Sequence, residues 1–324
     1  RFIIIYFNMD LIADSKCDVQ DNPECLPEIT INQYKNTGFI KHLVISGGGI
    51  LGFSYYGILK ESNKQKLWMY KNIQTIYGTS IGAILATIMC LQYDWQTLDE
   101  YLINRPWQKV FHYDLNTIFN CIQTNGIYSR TLTEKIFSPL LLGKDIPINV
   151  NMAEFYQKTK IELHIMITDV NNFKMVDISY KTHPTWLLID AIHASSSIPI
   201  LFQPICIENI LYCDGGFCTN YPIDECIQNG ATPNEILGIN AEWVNNEDID
   251  ITMFSLFDYV VYLLNKILQQ LLYVVIKKNK YTFILPSDTR SLSTISNVAD
   301  NRETRQQLIQ QGIDVFYQQY NPDN

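Results

Sequence analysis

Short apolar runs that end in glycine alternate with stretches of helical spacing along this chain. His42-Leu43-Val44-Ile45-Ser46 reads as a buried strand running into the loop Gly47-Gly48-Gly49-Ile50-Leu51-Gly52, and Phe53 to Ser62 then follows a helical pattern. Ile73-Gln74-Thr75-Ile76 predicts the next strand, Tyr77 to Gly82 a tight turn, and Ala83 to Leu91 a second helix. Further strands are expected at Ile161–Thr168, at Phe173–Ile178 as its partner, and at Ile236–Asn240 and Tyr281–Pro286. Helical spacing covers Trp95–Val110, Trp186–Ile192 and Asn301–Tyr320, and Asn120–Asp145 is expected to cap or wall a site. Strands alternating with helices imply right-handed crossovers, so the expected class is α/β with a mostly parallel central sheet flanked by helices.

Two segments need separate treatment. Phe254 to Ile276 is apolar and about as long as a membrane span, yet it carries Asp258, Asn265, Lys266, Gln269 and Gln270. Apolar side chains at positions 254, 257, 261, 264, 268, 271 and 275 form a helical stripe, which predicts a core-packed amphipathic helix, with an interfacial helix as the alternative and no transmembrane helix. At the other end, Phe2-Ile3-Ile4-Ile5-Tyr6-Phe7 is too short for a signal-peptide core and no small-residue cleavage site follows. No signal peptide is therefore read there, and the expected location is cytoplasmic, with peripheral contact at membranes. Asp10 to Asn36, rich in Asp, Glu, Pro and Asn, reads as a loosely ordered arm.

Composition narrows the field. The 324 residues are 47% hydrophobic and 18% charged, enough to bury one large α/β core. A net charge of −9 argues against nucleic-acid partners and against attraction to anionic membranes. Eight cysteines show no C-x-x-C pair, which favours free thiols in a reducing compartment. Neither they nor the scattered His42, His112, His164 and His183 have metal-ligand spacing, so no metal or cofactor is expected.

The chemistry lies in three glycine-rich turns. Ser80, between Gly78 and Gly82, stands at the apex of a strand–turn–helix, the arrangement that holds a nucleophilic serine exposed at the end of a sheet strand. The loop Gly47–Gly52 also matches the spacing of a dinucleotide fingerprint, but the next strand continues into the serine turn and offers no ribose-binding acid. Its backbone N–H groups suit an oxyanion hole instead, facing the serine across one crevice. Asp214, locked by Gly215 and Gly216 after the run Leu211-Tyr212-Cys213, is the candidate general base.

These blocks, Gly47–Gly52, Gly78–Ala83 and Asp214–Gly216, with Ala194-Ser195-Ser196-Ser197-Ile198-Pro199 and Phe202 before the aspartate, resemble those of the patatin-like phospholipases in the same order. The resemblance covers about Lys41 to Asn240 and implies the family's three-layer fold. Residue by residue, it makes Ser80 the nucleophile and Asp214 its sole base, a Ser-Asp dyad. Backbone N–H groups of Gly47, Gly48, Gly49 and Ile81 would hold the oxyanion, and Gly52, Gly78, Gly82, Gly215 and Gly216 are motif glycines. One position departs from the pattern: where the family usually carries Arg or Lys, this chain has Leu51, which leaves headgroup contacts or loop anchoring to other residues.

The implied organisation is an arm over residues 1–37 and a patatin-like catalytic domain over 38–324. The implied activity is lipid acyl hydrolysis, cleaving carboxylic esters of phospholipids or related glycerolipids at a membrane or micelle surface through an acyl-enzyme. Two alternatives stand beside it, a non-catalytic lipid-binding relative and a soluble short-chain esterase. His193 is the one histidine near the blocks; its helical spacing predicts a helix-end residue satisfied by backbone carbonyls and not a third catalytic member.

Overall fold

The computed structural model describes residues 39–112, 121–243, 279–287 and 297–320, with a few positions between 259 and 267. These belong to the unit Asn36–Asn324, and the expected arm lies outside the described residues. β1 (His42–Ile45) leads through a single 3-10 turn into α1 (Gly52–Lys64), and β2 (Thr75–Thr79) leads through Ser80 into α2 (Ile81–Cys90). Helices α3 (Trp95–Asp99) and α4 (Trp107–Val110) flank a wide π turn at Glu100–Asn104. The continuous helix expected over Trp95–Val110 is thus broken, because Pro106 cannot donate to the helical ladder.

The chain continues through β3 (Gly126–Tyr128), α5 (Arg130–Leu142) and α6 (Met152–Thr159) to the eight-residue β4 (Glu162–Asp169) and β5 (Lys174–Ile178). Helix α7 (Leu188–Ser195) precedes β6 (Ile200–Phe202), β7 (Ile205–Ile207) and β8 (Ile210–Asp214). The last elements are α8 (Ile223–Gln228), β9 (Ile236–Trp243), β10 (Thr282–Ser287) and α9 (Arg302–Gln319). Most of the expected 254–276 helix lies outside the described residues; the described positions there are helical.

The main sheet runs β10-β9-β1-β2-β4-β8-β7, with β5 also on β4. Its five strands β10, β9, β1, β2 and β4 are parallel, and the β4–β5, β4–β8 and β7–β8 pairs are antiparallel. Side chains of the central strands alternate between two cores. Leu43, Ile45, Ile76, Ile165 and Ile167 face the larger core with α1, α2 and α7, whereas Val44, Tyr77 and Met166 pack against Ile223 and Cys226 of α8. Helices therefore cover both faces of the sheet, a three-layer α/β arrangement. α9 lies along α1 at a crossing where a Cβ on Gly57 would collide with the Ile309 carbonyl, and one on Gly312 with the Ser54 carbonyl.

A partly buried ionic cluster centres on His164 of β4, whose partner Asp177 lies opposite Met166. His164 contacts Asp177 at 2.8 Å and Glu162 at 3.2 Å, its ring stacks on Tyr77 at 4.0 Å, and Lys181 reaches Glu162 at 2.7 Å. Burial opposes charge on the His164 ring, but the two carboxylates outweigh it and raise its pKa. A raised folded value means that the stabilisation is full below the ordinary value of 6.5 and lost as pH rises through the folded value. His164→Gln is expected to lower stability by on the order of 2 kcal/mol at pH 6, and thermal unfolding at pH 9 should show a smaller gap to wild type.

Candidate active site

The site lies where β2 gives way to β8 along one edge of β4. β2 pairs with β4 up to Thr79↔Met166, and β8 takes over the same edge from Ile167↔Asp214. Pairing of β5 over Ile165–Asp169 occupies the other edge, so β2 and β8 must share this one. Ser80 leaves the end of β2 and Asp214 ends β8 at adjacent register positions. Close packing seals the junction: a Cβ on Gly215 would collide with the Met166 carbonyl and stand 3.1 Å from the Thr79 methyl.

Ser80 has φ 55° and ψ −122°, a backbone region that a side chain other than glycine adopts at a cost. Two glycines make the turn possible. A Cβ on Gly78 would meet the backbone of Gly82 and Ala83, and a Cβ on Gly82 would meet the carbonyls of Ile45 and Ser46. The turn is pinned from α7, where the Ser195 hydroxyl accepts the Ser80 N–H at 2.9 Å and donates to the Met166 carbonyl at 2.7 Å. That carbonyl can only accept, so the direction of the relay is determined. Thr79 Oγ1 adds a bond to the Thr219 carbonyl at 2.9 Å.

Asp214 is buried, and its two carboxylate oxygens differ. Oδ1 accepts the Gly216 N–H at 2.7 Å, whereas Oδ2 is buried and makes no hydrogen bond of ordinary length and angle among the described residues. The backbone around it is held on both sides: its N–H donates to the Ser197 carbonyl at 3.2 Å and its carbonyl accepts from Thr168 Oγ1 at 2.9 Å. Desolvation pushes its pKa from 3.8 to about 7, with the Ser80 side chain and the Gly216 amide holding the rise back.

The first glycine loop abuts this pair. A Cβ on Gly52 would collide with the Ile81 side chain, and one on Gly47 would stand 3.3 Å from Ser80 Cβ. Gly49 takes φ 56°, which favours glycine. Among the candidate donors Gly47 is set apart, because its N–H donates to the Asn220 carbonyl at 3.1 Å. It anchors the loop, a correction to the expected donor set, which narrows to Gly48, Gly49 and Ile81. None of those three amides donates to an acceptor among the described residues, which leaves them available for a ligand oxygen.

His193 is placed outside this chemistry. Its Nε2 bonds the Gln203 carbonyl at 2.8 Å and its Nδ1 the Thr133 hydroxyl at 3.1 Å. Nε2 must therefore carry the proton and Nδ1 must accept, and burial lowers the ring's pKa. One partner is a carbonyl, as expected, and the other a hydroxyl. Ser195 lies in a stretch that stands out in the sequence, but its bond to the serine turn, like that of Asn220 to the first loop, has no local signature.

The buried Asp214 carboxyl generates a stability prediction. The unfolded chain ionises near 3.8 and the folded chain near 7, so folding loses stability as pH rises across that interval and carries the full cost above it. Asp214→Asn keeps an acceptor for Gly216 and cannot ionise. Thermal unfolding should show it more stable than wild type at pH 8, by at most roughly 4 kcal/mol, with the advantage shrinking towards pH 4.

Residues 43–227, more than half of the chain, match the family model described as Patatin-like phospholipase. An uncharacterised protein, R571, from Acanthamoeba polyphaga mimivirus is 29% identical over 184 residues, 57% of this chain and 60% of that one. A probable lipid hydrolase, 463L, from Invertebrate iridescent virus 6 is 29% identical over 192 residues, 59% of this chain and 64% of that one. The fold is shared with the solved structure of VipD from Legionella pneumophila, at a TM-score of 0.55 and 16% identity over 86% of this chain and 66% of that one. Each match spans less than two thirds of the other protein. Sequence and fold agree, and the chain belongs to the patatin-like phospholipase family.

Proposed function

We propose that this protein is a lipid acyl hydrolase that cleaves carboxylic esters of phospholipids or related glycerolipids, using Ser80 as nucleophile and Asp214 as its only base. The observation that carries the reading is the register on β4, which sets a strained serine beside a buried aspartate whose pKa the serine side chain itself lowers. A serine hydroxyl attacks poorly until a base takes its proton. An aspartate shifted to about 7 is a far better base than an exposed one and is still half ionised near neutrality. The similarity to a protein described as a probable lipid hydrolase supports the same substrate class.

In this reading Asp214 takes the Ser80 proton as Oγ bonds to the ester carbonyl carbon. Negative charge collects on the former carbonyl oxygen and is met by the N–H groups of Gly48, Gly49 and Ile81. One donor of this kind is worth about 2.7–4 kcal/mol in the transition state. The tetrahedral intermediate collapses, the carbon–oxygen bond to the lipid alcohol breaks, and that oxygen leaves with the proton from Asp214. Water then attacks the acyl-enzyme with Asp214 again as base, releasing fatty acid and free Ser80. A metal has no part in this route.

The substrate is proposed to be met at a membrane or micelle surface. With a net charge of −9, contact with zwitterionic lipid is favoured over anionic lipid. Among the described residues no helix is long and apolar enough to cross a membrane. Mass spectrometry of products from phosphatidylcholine vesicles should show free fatty acid and lysolipid with wild type, and at least a thousand-fold less with Ser80→Ala or Asp214→Asn. Turnover of soluble short-chain esters alone would replace the lipid reading with a general esterase. Silence of all three proteins on both substrates would leave a lipid-binding relative.

A further inference from the structure

Leu51 removes the cation that the family usually carries in the first glycine loop, yet the loop is held tightly. Three side-chain donors converge on the Gly47 carbonyl: Ser46 Oγ at 3.0 Å, Tyr55 Oη at 3.2 Å and Asn220 Nδ2 at 3.3 Å. The two hydroxyls are also 3.0 Å apart and bring two protons to these three contacts, so one of them donates to the carbonyl while the other donates to its fellow hydroxyl; Ser46 Oγ accepts the Ala241 N–H at 3.2 Å, which ties the group to β9. Tyr55 is fully buried on the first turn of α1, and burial keeps its phenol protonated as a donor. Its hydroxyl occupies the space that a Cβ on Gly48 would need, so glycine at position 48 is what admits it.

The consequence follows from peptide geometry. The bond between Gly47 and Gly48 is trans, so its C=O and N–H point in opposite directions. With the oxygen held on the buried Tyr55–Ser46 pair, the Gly48 N–H is turned away from the interior, towards the half-exposed side of the loop. We propose that Tyr55 is a positioning residue for the reaction: its hydroxyl orients the Gly47–Gly48 peptide and so aims the Gly48 amide at the oxyanion. Tyr55 touches no substrate in this scheme and acts only through the peptide. The inference rests on the acyl-hydrolase reading, and it assigns to an uncharged side chain the loop anchoring left open by Leu51.

Tyr55→Phe tests it, with Tyr56→Phe as a matched control. Tyr56 is the next residue, equally buried, and its hydroxyl donates to Asp99 at 2.8 Å, outside the loop. The readouts are kcat and KM on a soluble ester and the Ki of an alkyl trifluoromethyl ketone. Addition of Ser80 Oγ to that ketone places an alkoxide in the oxyanion position. Tyr55→Phe should lower kcat about ten-fold with KM within two-fold, and raise the ketone Ki by about the same factor as kcat falls. Tyr56→Phe should match wild type in all three. Ser46→Ala, which removes a second hydroxyl from the same carbonyl, should move kcat and Ki in the same direction and stands in if Tyr55→Phe does not fold.

Equal kcat and Ki in wild type, Tyr55→Phe and Ser46→Ala would overturn the inference while leaving the hydrolase reading intact. So would equal losses in Tyr55→Phe and Tyr56→Phe, because they would mark a general packing effect. A wild type that neither turns over ester nor binds the ketone would overturn the hydrolase reading and this inference with it.

Discussion

The change of partner along one edge of β4 is the constraint on which the site depends. A parallel strand, β2, pairs as far as Met166, and an antiparallel strand, β8, begins at Ile167. Two strands that arrive from opposite directions must both end there, and the residues at their ends, Ser80 and Asp214, meet. Met166 is the hinge of this arrangement. Its carbonyl receives the Ser195 hydroxyl that pins the serine turn, and it leaves no space for a side chain at Gly215. The glycines around the site thus serve close approach more than flexibility. A methyl group at position 78, 82 or 215 would push against backbone, and backbone there cannot yield without moving a strand.

The same junction explains why the aspartate is chemically unusual. Asp214 is shut in by the strands and turns that position it, and the resulting desolvation lifts its pKa. Stability and the proposed reactivity oppose each other at this residue, since the burial that weakens the fold at high pH also makes a useful base. The His164 cluster on β4 shows the contrast. There a buried charge is matched by Asp177 and Glu162, and it stabilises the fold instead of straining it.

Much of this was legible in the sequence, and the reasons differ from element to element. The turns at Gly47–Gly52, Gly78–Gly82 and Asp214–Gly216 are local: glycine spacing and the apolar runs before them suffice to predict a loop, an elbow and a carboxylate turn. The partner strand at Phe173–Ile178 was legible from its own pattern. Contacts between distant segments were not. Nothing local marks Tyr55 as the partner of the Gly47 carbonyl, or Ser195 as the acceptor for Ser80, because each bond depends on how a helix seats on the sheet. The same holds for the Gly47 N–H, which meets the Asn220 carbonyl far along the chain. Pro106 marks the break in the Trp95–Val110 helix, although the apolar spacing around it is helical.

In the proposed reaction one buried aspartate activates one strained serine. The rate at which a fluorophosphonate labels Ser80, followed by mass spectrometry across pH, tests it most directly. A single adduct on Ser80 is expected, with a rate that rises with one ionisation near pH 7 and loses that ionisation in Asp214→Asn. Labelling at another serine, or a pH profile that Asp214→Asn leaves unchanged, would contradict it.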